Sequence, residues 1–148
     1  ITAFLKKEIS SANINIAMAA MNAGTGLAVG MSKDFAPGAK VLVTPIFLKF
    51  KEKRPLVQEA ATKFADAVPK CTNLDDIREE VIPLISNVAP GVKTGVLKFV
   101  EKAAQETYID ILKRVADEYL AAVAKAMDDK DGGVRDTALH CMGILKGR

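Results

Sequence analysis

One apolar spacing recurs four times along the chain, and a fold built from repeats is a far narrower choice than composition leaves open. With Ile14, Val57, Val92 and Val134 set in one column, the copies follow at intervals of 43, 35 and 42 residues. Four residues after each anchor stand Met18, Ala61, Val96 and Ala138, and seven after stand Met21, Phe64, Phe99 and Cys141. Positions i, i+4 and i+7 share one face of a helix. Before the last three anchors, Phe50, Ile85 and Met127 lie seven back, and Ile46, Val81 and Val123 lie eleven back. A second helix therefore precedes each turn. Pro55, Pro90 and the Gly132–Gly133 pair stand where the later helix must begin, as proline at a helix start and glycine in a bend require. Neither helix of such a pair can bury its apolar stripe alone, so successive pairs must stack.

The spacing predicts helices over 1–9, 13–30, 37–51, 55–68, 75–86, 91–104, 108–127 and 133–146. They make an all-α solenoid of four helix pairs (1–34, 35–72, 73–106, 107–148). Pro45 and Pro83 fall inside two of the leading helices and should kink them, because proline lacks the amide donor and crowds the carbonyl four residues back. The links SKDFAPG and PKCTNLDD are short and polar. No domain boundary is expected, only one continuous right-handed stack. Abundant alanine, leucine, valine, lysine and glutamate, with no tryptophan, also favour helices over a β-sandwich.

A formal charge of +3 over 148 residues is far below what a phosphate-binding nucleic-acid domain carries, so no nucleic-acid partner is expected and any basic surface must be local. Cys71 and Cys141 lie seventy positions apart with no CxxC motif, which points to a reducing, cytoplasmic setting. The longest apolar stretch, around 39–50, is broken by Lys40, Thr44, Pro45 and Lys49, so no membrane span is expected. The chain opens on ITAFLKKEI and closes on CMGILKGR, and both ends read as cut from something longer.

Other local signals have simple structural readings. GTGLAVG (24–30) lacks the Lys-Ser/Thr of a phosphate loop; Gly24, Gly26, Ala28 and Gly30 are expected to admit a neighbouring helix closely. His140, the one histidine, is expected to pack in an apolar helix and not to ligate a metal. The carboxylates of LDDIREE (74–80) and AMDD (126–129) fall at helix starts or turns, where capping accounts for them. No nucleophile, base and orienter come together. The reading is a binding protein and not an enzyme, with no cofactor, metal or small-molecule substrate.

A polar column completes the repeat: Glu52, Asn87 and Asp129 stand five before their anchors, and Lys93 and Arg135 directly follow theirs. This pattern resembles the HEAT repeat. GLAVGMSKDFAPGAKVLVTPIFLKFKEKRPLVQEA (26–60) and DKDGGVRDTALHCMGILKG (129–147) are similar to the second-to-third and fifth repeats of a TOG domain, most closely the second TOG domain of the microtubule-polymerase family. The resemblance implies a partial TOG domain whose intra-repeat turns line one edge and grip a curved αβ-tubulin dimer at microtubule plus ends, spindle and centrosome. By position it implies contacts from Asn13 and Ile14, from Lys51, Lys53 and Arg54, from Asn87 and Lys93, and from Lys130 and Arg135. The family's first repeat bears a tryptophan that is absent here, so that repeat is expected upstream, and this segment alone is expected to bind tubulin weakly or not at all. Arg135 has two readings, a staple to a neighbouring repeat's acidic side chain or a tubulin contact, and the resemblance favours contact. The rival to a tubulin module is a HEAT scaffold of another kind, such as a phosphatase adaptor or transport receptor, that holds peptides on a concave helical face.

Overall fold

The structure, a computed structural model, describes residues 2–11, 13–52, 54–87 and 89–147. The chain divides into two compact units, Ile1–Thr72 and Asn73–Arg148, meeting where the spacing sets the boundary between the second and third helix pairs.

In the first unit α1 (Thr2–Ile9), α2 (Ile14–Met31), α3 (Ala36–Phe47) and α4 (Pro55–Ala67) alternate with 3-10 turns at Ser32–Phe35, Leu48–Lys51 and Val68–Lys70. α2 packs along α4 and against α1, and α1 against α3. The repeat column supplies the core: Met21, Phe64 and Ile46 are fully buried, together with Ile9, Leu42 and Phe47. Burying a side chain of this size stabilises the fold by roughly 1.5–3 kcal/mol. Helix starts fall at Asn13, whose side chain caps α2, and at Pro55, the first residue of α4. The helical run Ile14–Lys51 spans 38 residues and holds a window long and apolar enough to cross a membrane by length and composition, more than the expected 39–50 stretch. In this fold one side of the run lies in the core, through Ala17, Met21, Leu42, Ile46 and Phe47, while Ile16, Val29, Met31 and Val41 are exposed. The run doubles back at Ser32, whose φ of 50° and ψ of −125° break α2.

In the second unit α5 (Arg78–Ile85), α6 (Pro90–Glu106), α7 (Ile109–Ala126) and α8 (Gly132–Gly147) pack with α8 against both α6 and α7, and with α5 against α6 and α7. Val92, Val96, Val134, Ala138 and Cys141 of the repeat column are all fully buried. Tyr119 is fully buried too, and its hydroxyl donates to the Leu74 carbonyl at 2.6 Å, tying α7 to the segment that leads into α5. Pro45 and Pro83 lie inside α3 and α5, and each helix ends two residues later, at Phe47 and Ile85.

Four expectations are corrected. α5 begins at Arg78, not at 75, because the Asn73 side chain accepts from the Asp75 and Asp76 amides, each at 3.0 Å, and holds residues 74–77 as a turn. Asp75 is no cap: it pairs with Arg78, and with Arg114 at 3.7 Å. Of the small residues in GTGLAVG, Gly24 and Ala28 are buried, and a Cβ on Gly24 would stand 3.1 Å from Leu42 Cδ1. Gly26 and Gly30 instead face open space, with nothing among the described residues within 4 Å of a Cβ. His140 is on the surface: its side chain is 70% exposed and its Nδ1 lies 2.7 Å from Glu101 Oε1.

Candidate protein-interaction site

The turns that join the two helices of each repeat carry the predicted contact residues. In the first unit α2 and α4 lie side by side near their N-terminal ends, where Met18 and Asn22 line the same small cleft as Leu56 and Ala60. This sets the first and second turns next to one another. Asn13 is exposed, and its Oδ1 accepts from the Asn15 amide at 3.0 Å while Ser11 Oγ accepts from the Asn13 amide at 3.1 Å. Ile14, directly after it, is half-buried. In the second turn Lys51 and Arg54 are exposed, and the backbone of Glu52 and Arg54 is extended. Gln58 Nε2 donates back to the Glu52 carbonyl at 2.6 Å and closes the turn. Lys53 lies outside the described residues.

In the second unit the third and fourth turns are joined by one ion pair. Lys93, on the first turns of α6, donates to Asp129 Oδ2, with side chains only 18% and 15% exposed. Asp129 does more than receive that charge. Its Oδ1 accepts from the Asp131 amide at 3.0 Å, and Asp131 Oδ1 accepts in turn from the Val134 amide at 3.1 Å, capping α8. Hydrogen bonding from Lys93, and next from the Asp131 amide, holds the Asp129 carboxyl below its ordinary 3.8. Asn87 repeats the local half of this arrangement in the third turn, accepting from the Ala89 amide at 3.0 Å. Asn and Asp therefore occupy the polar column because a short side-chain oxygen closes a turn onto the amide two residues on.

Arg135 is exposed, yet its guanidinium folds back on its own turn: Nη1 donates to the carbonyls of Asp129 at 2.9 Å and Lys130 at 3.1 Å. Lys130 itself is exposed. Seven of the nine predicted contacts, Ile14 being half-buried and Lys53 outside the described residues, thus divide by what already holds them. Lys51, Arg54 and Lys130 stand exposed, the ammonium of Lys93 sits on Asp129, and Asn13, Asn87 and Arg135 hold turns together. Charge is unevenly spread as well. Residues 1–72 carry ten Lys or Arg against five Asp or Glu, and residues 73–148 carry eleven against thirteen. Leu56, 65% exposed directly beside the second turn, is not among the contacts predicted there, which are all basic.

Among the described residues no group of three or more His, Cys, Asp or Glu side chains is placed to hold a metal ion. The chemistry of these turns is that of a charged, hydrogen-bonded protein surface.

No family model matches the chain. Among curated proteins it is 34% identical over 136 residues to Zygote defective protein 9 of Caenorhabditis elegans, covering 90% of this chain and 10% of that protein. It is 30% identical over 143 residues to Protein mini spindles of Drosophila melanogaster, covering 94% of this chain and 7% of that protein. The chain therefore spans a tenth or less of these relatives. A solved structure described as the structural basis of microtubule plus-end tracking by XMAP215, CLIP-170 and EB1 matches with a TM-score of 0.90 at 29% identity, over 97% of this chain and 61% of that one. A second, on tubulin recruitment and assembly by microtubule polymerases with TOG domain arrays, matches with a TM-score of 0.78 at 25% identity, over 95% of this chain and 30% of that one. Helix pairs repeating every 35 to 43 residues, a polar column that closes the second, third and fourth turns, and these likenesses in sequence and structure agree: the chain belongs to the TOG-domain family of HEAT-repeat modules.

Proposed function

We propose that the chain is a tubulin-binding module of a microtubule plus-end polymerase, acting by binding and not by catalysis. The observation that carries this reading is the likeness, at a TM-score of 0.90 over 97% of the chain, to a solved structure of microtubule plus-end tracking. The likeness to a structure of tubulin recruitment by TOG-domain arrays supports it further. The names of two relatives, Centrosomal protein 224 and Spindle pole body component alp14, favour a place at centrosomes and spindle poles.

Physically, Lys51 and Arg54 in the second turn and Lys130 in the fourth offer charge to the acidic surface of tubulin. Each exposed pair contributes only about 0.2–1 kcal/mol, so affinity comes from several turns acting together on rigid frames. Each unit supplies such a frame, with side-chain hydrogen bonds closing its turns before any partner arrives. A frame matched to the curved dimer binds it in preference to the straight lattice, and straightening on incorporation releases it.

The test is charge reversal at Lys51, Arg54 and Lys130 in the full-length protein, read as co-migration with αβ-tubulin on size exclusion. The triple variant is expected to lose co-migration while keeping its helical circular dichroism. Full retention of co-migration overturns the tubulin reading and returns the chain to the wider class of HEAT scaffolds.

A further inference from the structure

The position directly before each repeat anchor is exposed in all four turns, and three of its occupants are small: Asn13, Gly91 and Gly133. The fourth is Leu56, which is 65% exposed. The repeat therefore builds its turn without an apolar side chain here, and the first two turns of α4 already place Val57, Ala60 and Ala61 in the core. Leu56 adds little to that core, and leaving such a side chain in water is unfavourable.

Its surroundings show what it suits. Pro55 starts α4 and Gln58 fastens the turn to the Glu52 carbonyl, so the Leu56 backbone is held before any partner arrives. Met18 of α2 and Ala60 of α4 form the apolar side of the cleft that Leu56 borders, and exposed Lys51 and Arg54 precede it in the turn. An apolar side chain on a preorganised support, with a basic rim beside it, has the make-up of an interface anchor. The excess of Lys and Arg over Asp and Glu in residues 1–72 fits an acidic partner surface.

We infer that Leu56 is the apolar anchor through which the second turn grips tubulin, entering an apolar recess in its acidic surface while Lys51 and Arg54 orient the approach. This inference rests on the tubulin reading above and assigns, within it, an apolar contact to a turn otherwise defined by charge. The two kinds of contact leave different signatures. Removing a rim charge lowers the salt dependence of binding, whereas truncating the anchor weakens binding equally at low and high salt.

The experiment measures the affinity of the full-length protein for αβ-tubulin dimers across a salt series, for wild type, Leu56→Ala, Leu56→Met and Arg54→Gln. Leu56→Ala is expected to weaken binding about tenfold at every salt concentration, with an unchanged thermal midpoint, while Leu56→Met stays within about twofold of wild type. Arg54→Gln is expected to flatten the salt dependence. Wild-type binding with Leu56→Ala within twofold of it overturns the anchor and leaves the tubulin reading standing. Absence of wild-type binding overturns the tubulin reading and the anchor with it.

Discussion

Arg135 Nη1 lies 2.9 Å from the carbonyl oxygen of Asp129, six residues earlier, and Gln58 stands in the same relation to Glu52 at 2.6 Å. Both donors directly follow their repeat anchor, and both acceptors stand five before it. One column of the repeat thus closes the turn by a side chain reaching back, and the side chain does not need a charge to do so.

That equivalence separates two roles of Arg135. Arg135→Gln keeps a donor of the kind the second turn uses and removes the charge. Its thermal stability is expected to stay within about 0.5 kcal/mol of wild type, as for a surface change that preserves its hydrogen bond. Any loss of tubulin binding then reports charge read by the partner. A fall in stability as large as that of Arg135→Ala shows instead that Gln is too short to close this turn.

Asp129 serves three groups at once, so its substitutions should be graded. Asp129→Asn keeps an oxygen for the Asp131 amide but surrenders the Lys93 pair, whereas Asp129→Ala loses both. Thermal midpoints at neutral pH are expected in the order wild type, Asn, Ala. The pH dependence has a definite sign. The folded carboxyl titrates below its ordinary 3.8, so its contribution is fully present above that value and lost as pH falls through the lower folded value. Wild type and Asp129→Asn should therefore differ at neutral pH and converge in acid. A gap that stays constant down to full protonation contradicts the ion pair.

Glycine placement gives a contrast within α2. Gly26 and Gly30 face open space, so alanine at either should stabilise by roughly 0.5–1 kcal/mol through helix propensity and a less flexible unfolded chain. At Gly24 a Cβ would stand 3.1 Å from Leu42 Cδ1 inside the core, and the crowding should cancel that gain. Ser32 offers the reverse substitution. Its φ of 50° with ψ of −125° strains an L side chain, so Ser32→Gly should raise stability by about 1 kcal/mol. Urea midpoints of the four variants check all of this, and a Gly24→Ala variant as stable as Gly26→Ala contradicts close packing of α2 on α3.

The helices were legible because apolar period and start residues agree: Asn13, Pro55, Pro90 and the Gly132–Gly133 pair lie at the starts of α2, α4, α6 and α8. The late start of α5 was not, because Asn73 draws two amides into a turn and no apolar spacing records that. The 3.6-residue period puts Gly24 on the buried stripe, three after Met21 and four before Ala28, and Gly26 on the opposite side; grouping the small residues of GTGLAVG as one packing motif hides that difference. In the candidate site the polar column was visible while its division of labour was hidden. Lys93 and Arg135 occupy equivalent positions, yet Lys93 reaches Asp129 of the following repeat and Arg135 turns back on its own. Which one a basic side chain does depends on the acceptor presented by the next turn, a relation across 36 residues.

Tyr119 joins elements distant in sequence through one buried hydrogen bond, from its hydroxyl to the Leu74 carbonyl at 2.6 Å. Tyr119→Phe preserves the ring and strands that carbonyl, at an expected cost of about 1–2 kcal/mol. Hydrogen exchange should rise first in residues 73–77, whose attachment to α7 the hydroxyl provides. A stability equal to wild type means that the Leu74 carbonyl finds water instead.

The two buried cysteines contribute to the alkaline limb of the stability curve, with the raised Tyr119 phenol adding to it at higher pH. Cys141 is fully buried, and burial, aided by the nearby Glu101 carboxylate, pushes its thiol from 9.0 up to about 12. Burial also raises Cys71, against an opposing pull from Lys70. A thiol that stays protonated when folded but ionises freely when unfolded makes the unfolded chain bind fewer protons above 9.0, so stability falls as pH climbs through that value. Each such thiol adds a slope of at most about 1.4 kcal/mol per pH unit. Cys141→Ala leaves a small void and starts from a lower stability, but its decline above 9.0 should be shallower than that of wild type. Slopes from urea unfolding across that range are the quantity to compare. Neither thiol should react with a disulfide reagent at neutral pH until urea unfolds the chain, and prompt labelling of Cys141 in the native state contradicts its burial on the inner side of α8.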